Sequence, residues 1–481
     1  MSSTKQIRTL VLLLFGFAAT GATAWAQDQQ EPPSDPSKPK PAARGIPGVD
    51  DTTDENNQAD QWQPDNTPLT GLATPTLGTP EMRHSYWVPG LVYGTTIESQ
   101  PQAFGTGQGW YANNYIGANI SLLQAWNRNQ LGVNYTGGGF FSTANFEGNG
   151  GFQLLSLADT ISLNRWQIQF FDSFSYLPVT DFGFFGGTGL GIPGVSGSLG
   201  APIPGLSTGI VPNQGIFSAI GPRYSNAVAS QITYQLSRRG SITAAGSYGL
   251  LRFTQAGNVD NDMVTGSFGY NYALSKEDTI GIFYQFVGFH YSGQPQAIGT
   301  NSISGAYSKK LTKKLALSLY GGPQFSHYRV PIGTQTKTTN ASAGASVSYA
   351  TEQAGITGSY FHGLAGGAGI FIGSLSDTAN VGLTHRFAHT WNANFNFGYS
   401  RNSALGSEPG LSSTSFNDFF VGGGVSRPFG RNLAFAANYT AYIESTSGSG
   451  CTTTAPCTGT NYTQHTINLS IQWHTRPLVL P

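Results

Sequence analysis

From Tyr86 onward, apolar and polar residues alternate one by one. In Trp391–Tyr399 the odd positions are Trp391, Ala393, Phe395, Phe397 and Tyr399, and the even ones Asn392, Asn394, Asn396 and Gly398. The same alternation sets Leu433, Phe435, Ala437, Tyr439, Ala441 and Ile443 against Asn432, Asn438 and Thr440. It recurs where Val264, Phe268, Tyr270 and Tyr272 face away from Thr265, Ser267 and Asn271, and again in Ile467–Trp473. Successive side chains of a strand point to opposite faces, so each segment predicts a strand with one greasy and one small-polar face.

Two environments fit such strands. A soluble sandwich turns its polar face to water, where Lys and Glu are usual. A membrane barrel turns its greasy face to lipid and its polar face to a wet lumen. Here the polar face is Ser, Thr, Asn, Gln and Gly, and the charges gather in short connectors. These are Asn127–Gln130, Ala158–Thr160, Ser237–Gly240, Ser275–Asp278, Lys309–Lys314, Ala350–Gln353, Arg386–Thr390 and Arg427–Asn432. Between consecutive connectors lie two strands and one longer Gly/Ser-rich loop. That rhythm of short turns and long loops belongs to an up-and-down transmembrane β-barrel. Eight turns join sixteen strands; Trp87–Glu98 supplies a strand before them and Tyr462–Trp473 one after. The expectation is an all-β, antiparallel barrel of about 18 strands, with 16 the alternative because Pro89 weakens the first.

Composition agrees. Only 10% of the 481 residues are charged, against about 25% in ordinary soluble proteins. The chain holds 64 Gly, 30 Phe, 22 Tyr and 8 Trp, which excludes a coiled coil and a disordered chain. Zero formal net charge gives no basis for nucleic-acid binding. Two cysteines make neither a disulfide framework nor a four-cysteine zinc site, and no cofactor is implied.

Residues 1–26 read as a secretory signal peptide. Lys5 and Arg8 precede the apolar run Leu10–Ala19, and Ala24-Trp25-Ala26 forms a cleavage site. Residues 27–85 are rich in Pro and carry ten acids against four bases, so they predict a disordered linker. The barrel follows over 86–474, with a short tail at 475–481.

At this architecture the chain resembles the general porins and related channel-forming outer-membrane barrels of Gram-negative bacteria. The resemblance covers roughly Tyr86–Trp473 and rests on architecture rather than on a signature motif. It implies an outer-membrane location with periplasmic termini, lipid and small polar solutes as partners, and a homotrimer, although no interface strand stands out. It also implies a third long loop, Leu177–Pro222, that folds into the lumen. Here that loop has Asp181 as its only charge, with Arg223 just after it. Porin eyelets usually oppose acidic and basic clusters, so the sequence departs from the family there. It departs again at the end, where Trp473 is followed by His474–Pro481 rather than closing the chain.

The function expected is passive diffusion of small, mainly uncharged solutes. Its lumen would be lined by Asn119, Asn134, Arg165, Gln167, Gln169, Gln231, Gln235, Asn271, Gln285, Asn392, Asn394, Asn396 and Asn438, with Asp181 and Arg223 at the loop. Amides offer donors and acceptors without a charge, which suits hydroxyl-rich solutes; they equally line a wet wall with no chosen substrate. The loop constricts the lumen, caps it or plugs it. A non-conducting structural or assembly barrel shares every feature so far. An outer-membrane hydrolase is the third alternative, but His290, His362, His385, His389 and His474 have no Ser and carboxylate at a triad spacing. Gly189-x-Gly191-x-x-Gly194 contains Pro193 and lacks a strand–helix setting, so it is no dinucleotide site. Cys451 and Cys457, in the last long loop, predict a small disulfide in an oxidising compartment.

Overall fold

The computed structural model describes residues 85–99, 109–143, 149–177, 223–254, 260–292, 297–329, 335–351, 353–365, 373–388, 390–405, 415–447, 462–476 and 478–479. Among them the regular structure is all strand: β1 (Tyr86–Ser99), β2 (Trp110–Ala125), β3 (Asn129–Ser142), β4 (Gly150–Ser162), β5 (Trp166–Leu177) and β6 (Arg223–Gln235). Then come β7 (Gly240–Phe253), β8 (Asn261–Ala273), β9 (Asp278–Tyr291), β10 (Ala297–Lys310), β11 (Leu315–Arg329) and β12 (Gln335–Ala350). The last third contains β13 (Ala354–Ala365), β14 (Ser374–Phe387), β15 (Trp391–Ala404), β16 (Ser415–Phe429), β17 (Leu433–Ser447) and β18 (Tyr462–His474). A two-residue segment, β19 (Leu478–Val479), extends the β18 side along the start of β1.

Each strand pairs antiparallel with its sequence neighbours, and β1 closes the ring by pairing with β2 on one side and β18 on the other. The result is an 18-stranded barrel closed on itself by inter-strand pairing, the arrangement a membrane-spanning sheet requires. Pro89 does not break β1. Its carbonyl accepts from the Thr475 N–H at 3.0 Å, on the side where the β18 ladder has ended. The donor a proline lacks is therefore not needed, and the 18-strand count holds over 16.

The short turns lie at one end of the barrel. Trp126 N donates to the Asn129 carbonyl at 2.7 Å and Leu236 N to that of Gly240 at 2.9 Å. Gly430 sits at φ 68°, a left-handed turn conformation that glycine adopts freely. One turn differs from expectation. β4 runs through Ala158–Thr160 to Ser162, and the chain reverses at Leu163–Arg165, where Leu163 N donates to the Trp166 carbonyl at 2.7 Å. Asp159 is thereby a strand residue and Arg165 a turn residue. Local charge at Asp159 suggested a turn, but unbroken pairing of β4 with β3 and β5 carries the strand past it.

The outer wall is apolar. Leu91, Tyr93, Ile116, Phe268, Ile282, Ile303, Phe325, Phe395, Leu469 and Ile471 are all exposed large hydrophobics from outward-facing positions. Trp166, Tyr234, Phe387, Trp391, Phe429 and Trp473 ring it near the short-turn end, with Trp166 packed on Tyr234 at 4.4 Å between centroids. Near the long-loop end a second row repeats one arrangement five times. Tyr248, Tyr284, Tyr360, Tyr399 and Tyr439 each bond a polar side chain on the next strand, two positions closer to the loops: Asp262, Asn301, Asp377, Asn417 and His465, at 3.0, 2.6, 2.9, 3.3 and 2.8 Å. Rings on the apolar side and hydroxyls toward polar groups are the arrangement of an aromatic girdle at a lipid boundary. No helix among the described residues is long and apolar enough to cross a membrane; the spanning elements are strands.

Candidate pore wall

The inner wall is built by the other half of each alternation. Register places Asn119, Asn134, Gln167, Gln169, Gln231, Gln235, Asn271, Gln285, Asn392, Asn394, Asn396 and Asn438 on inward-facing positions. Neighbouring strands join them into short networks. Ser121 donates to Asn134 at 2.7 Å, Gln231 to Gln169 at 3.4 Å, and Asn271 to Thr243 at 3.3 Å. Arg223 opens β6 and faces inward, buried. Arg165 stands apart from this set, in the turn before β5. Asp181, the rest of 178–222, Cys451 and Cys457 lie outside the described residues, as do residues 1–84.

Two features of this wall were not legible in the sequence. The first is its apolar content. Val92, Tyr115, Phe140 and Phe152 cluster on β1–β4, with Leu154 against them. Met263, Phe289, Tyr291, Ile298 and Leu364 form a second cluster toward the loops, and Phe283, Ala306 and Tyr320 a third. Four inner aromatics occupy the space beside the glycine directly opposite them: Tyr115 at Gly94, Phe283 at Gly269, Tyr320 at Gly344 and Phe420 at Gly398. Each ring fills the position where a Cβ would stand. The interior is therefore a mosaic of amides and aromatic plates.

The second is an acidic patch. Glu98 of β1, Asp418 of β16 and Glu444 of β17 come from distant parts of the chain to nearby strands of one wall, toward the loop end. Their side chains are 0%, 0% and 4% exposed. Asp418 and Glu444 are direct cross-strand partners. The Tyr442 hydroxyl bridges them, 2.6 Å from Asp418 and 3.1 Å from Glu444. Glu98 accepts from Tyr111 at 2.8 Å and from Gln464 of β18 at 3.2 Å. These hydroxyl and amide donors stabilise carboxylates that burial disfavours. No single stretch of sequence could reveal the patch, because register and ring closure bring its members together.

Five of the histidines point elsewhere. His290, His327, His362, His385 and His465 occupy outward positions. His362 Nδ1 lies 2.7 Å from Asp377, which also accepts from Tyr360, so the pair belongs to the tyrosine row. The residue opposite His362 on β12 is Ala343, and neither His362 nor His290 hydrogen-bonds a Ser or Thr hydroxyl among the described residues. No group of three His, Cys, Asp or Glu side chains among the described residues is arranged to hold a metal ion.

A closed 18-strand ring, apolar outside and amide-lined inside, decides the architecture. It resembles that of porin-like outer-membrane barrels. No protein-family model matches the chain, and no curated protein matches it in sequence. Solved structures that resemble it include the outer-membrane protein OpdK from Pseudomonas aeruginosa, at 8% identity and a TM-score of 0.39, covering 81% of this chain and 99% of that one. A BenF-like porin from Pseudomonas fluorescens is similar at 10% identity and 0.40, covering 82% and 99%. The FrpB iron transporter from Neisseria meningitidis is similar at 8% and 0.41, covering 82% of each chain.

Proposed function

We propose that the protein is an outer-membrane channel for passive diffusion of small polar solutes. The observation that supports this best is the pairing of an apolar outer wall, bounded by two aromatic rows, with an inner wall of amides and hydroxyls. Such a lumen offers hydrogen bonds to hydroxyl-rich, mainly uncharged solutes without holding them. The lining residues in this reading are Asn119, Asn134, Gln167, Gln169, Gln231, Gln235, Asn271, Gln285, Asn392, Asn394, Asn396, Asn438 and Arg223. Loop 177–222, with Asp181, narrows the passage. The acidic patch of Glu98, Asp418 and Glu444 supports a refinement: cations pass more readily than anions, because fixed negative charge in a low-dielectric wall repels them.

The remaining parts follow the same reading. Residues 1–26 are a cleaved export signal, 27–85 a periplasmic linker and 475–481 a tail. The short turns and both termini face the periplasm and the long loops face outward, one of them stiffened by a Cys451–Cys457 disulfide. The barrel carries no catalytic site and assembles as copies of itself, a homotrimer being the arrangement its resemblance implies.

Single-channel recording in planar bilayers tests this. The purified protein should give discrete conductance steps, enlarged when residues 178–222 are deleted. Silent membranes with both forms would favour a structural, non-conducting barrel instead.

A further inference from the structure

The short-turn end of the outer wall holds a cation that no described residue neutralises. Arg427, near the end of β16, faces outward. Its guanidinium carbon lies 5.3 Å from the centre of the Trp391 ring and 5.1 Å from that of Phe429. Trp391 stacks on Phe387 at 6.1 Å and Phe387 on His385 at 6.5 Å, so an aromatic shelf runs across β14–β16. Arg427 is half-buried and makes no hydrogen bond or ion pair with a described residue; its Nε is buried without an acceptor. Just past Phe429, the turn that Gly430 makes at φ 68° presents Arg431, which is exposed.

Elsewhere the barrel matches its boundary charges from within. At the same end, Lys309 stands 3.4 Å from Asp278. At the long-loop end Arg252 reaches Asp262 and His362 reaches Asp377, each at 2.7 Å. The strands around Arg427 have no acid to offer. No Asp or Glu lies between Asp377 and Glu408 or between Asp418 and Glu444, the stretches that supply the short-turn halves of β14–β17. The two rings hold the guanidinium by cation–π attraction at the level where the apolar band ends. A charge partly withdrawn from water there is costly unless an anion pairs with it.

An anion from outside the chain completes such a site. We propose that Arg427 and Arg431, beside the shelf of Phe387, Trp391 and Phe429, bind the phosphodiester of an anionic phospholipid in the leaflet at the short-turn end. Three features select this ligand. The planar fork of a guanidinium matches two phosphate oxygens. The rings offer an apolar bed to glycerol and upper acyl carbons, which a free phosphate ion does not have. An ammonium headgroup such as choline finds no carboxylate here, whereas a glycerol headgroup needs none. The proposal requires the barrel to sit in a membrane but not to conduct.

Native mass spectrometry tests it. Full-length protein is reconstituted in vesicles of equal phosphatidylglycerol and phosphatidylcholine, extracted in mild detergent, and its retained lipid identified. Phosphatidylglycerol should be retained over phosphatidylcholine. Arg427→Gln with Arg431→Gln should lower the retained fraction about tenfold or more, the loss expected for a charge-assisted pair. Arg238→Gln with Arg239→Gln removes the same charge from an exposed turn with no ring beneath it and should change nothing. Arg431→Gln alone, in its exposed turn, should weaken retention severalfold and tests the site without touching the packed Arg427. Excess inorganic phosphate should leave the lipid bound. Equal retention of the two lipids, equal losses from the two arginine pairs, or displacement by inorganic phosphate would each overturn the proposal.

Discussion

Phe283 stands directly across the inner wall from Gly269, and its ring occupies the space where a side chain at Gly269 would begin. Three further pairs, Tyr115–Gly94, Tyr320–Gly344 and Phe420–Gly398, repeat the relationship around the barrel. A ring laid over glycine covers backbone that would otherwise lack packing, a device that stabilises strand pairs.

Gly269→Ala should therefore push Phe283 off its seat and cost about 1–3 kcal/mol, as overpacking does. Gly266→Ala, three residues away with open space around it, should stay within about 0.5 kcal/mol. Urea unfolding of the refolded barrel in lipid vesicles, followed by tryptophan fluorescence, compares the two. Equal effects would show that the glycine serves only strand flexibility.

Neutralising the acidic patch should change selectivity before it changes folding. In the triple variant Glu98→Gln, Asp418→Asn, Glu444→Gln the lumen loses its fixed negative charge on that wall. The reversal potential under a potassium chloride gradient should move toward zero, with conductance steps retained. An unchanged reversal potential would place the patch off the conduction path.

Within that patch, Tyr442 supplies one hydroxyl to two carboxylates. Tyr442→Phe leaves Asp418 and Glu444 opposed without the bridge and should destabilise the barrel by about 1–3 kcal/mol. The loss should shrink when Asp418→Asn is added, since an amide can donate to Glu444. A double-mutant cycle in the same unfolding assay measures the coupling.

The two walls should respond oppositely to charge. Ile303→Lys puts an ammonium on the lipid face of β10 and should cost about 2–4 kcal/mol if near the midplane. Gln285→Lys puts it on the inner wall, where it should leave the heat-modifiable gel mobility of the folded barrel intact and lower cation preference. Folding yields that fall equally in both would contradict the assignment of faces.

Much of this architecture is written in local pattern. A period of two is a one-strand property, so Asn392, Asn394 and Asn396 can be assigned to one face without any partner strand. Chain reversals need polar, flexible residues, so most turns are legible too, although charge alone misplaced the one near Asp159. Where both faces of a strand are apolar, the pattern loses its meaning. In Ile280-Gly-Ile-Phe-Tyr-Gln-Phe the inward Phe283 looks no different from its outward neighbours.

Register and closure decided the rest. Whether Asp418 meets Glu444, and whether Glu98 stands on the same wall, depends on how β16, β17, β18 and β1 slide against each other and on the first strand meeting the last. The five tyrosine pairs depend on the same offsets. Side-chain alternation is set within a strand by backbone geometry, so the sequence alone determined an apolar outside, a polar inside and a count of about 18 spans, with the choice between 18 and 16 left to the pairing around Pro89. Contacts between strands are set by the whole ring of hydrogen bonds, so only the tertiary structure could gather an acidic patch from residues hundreds of positions apart.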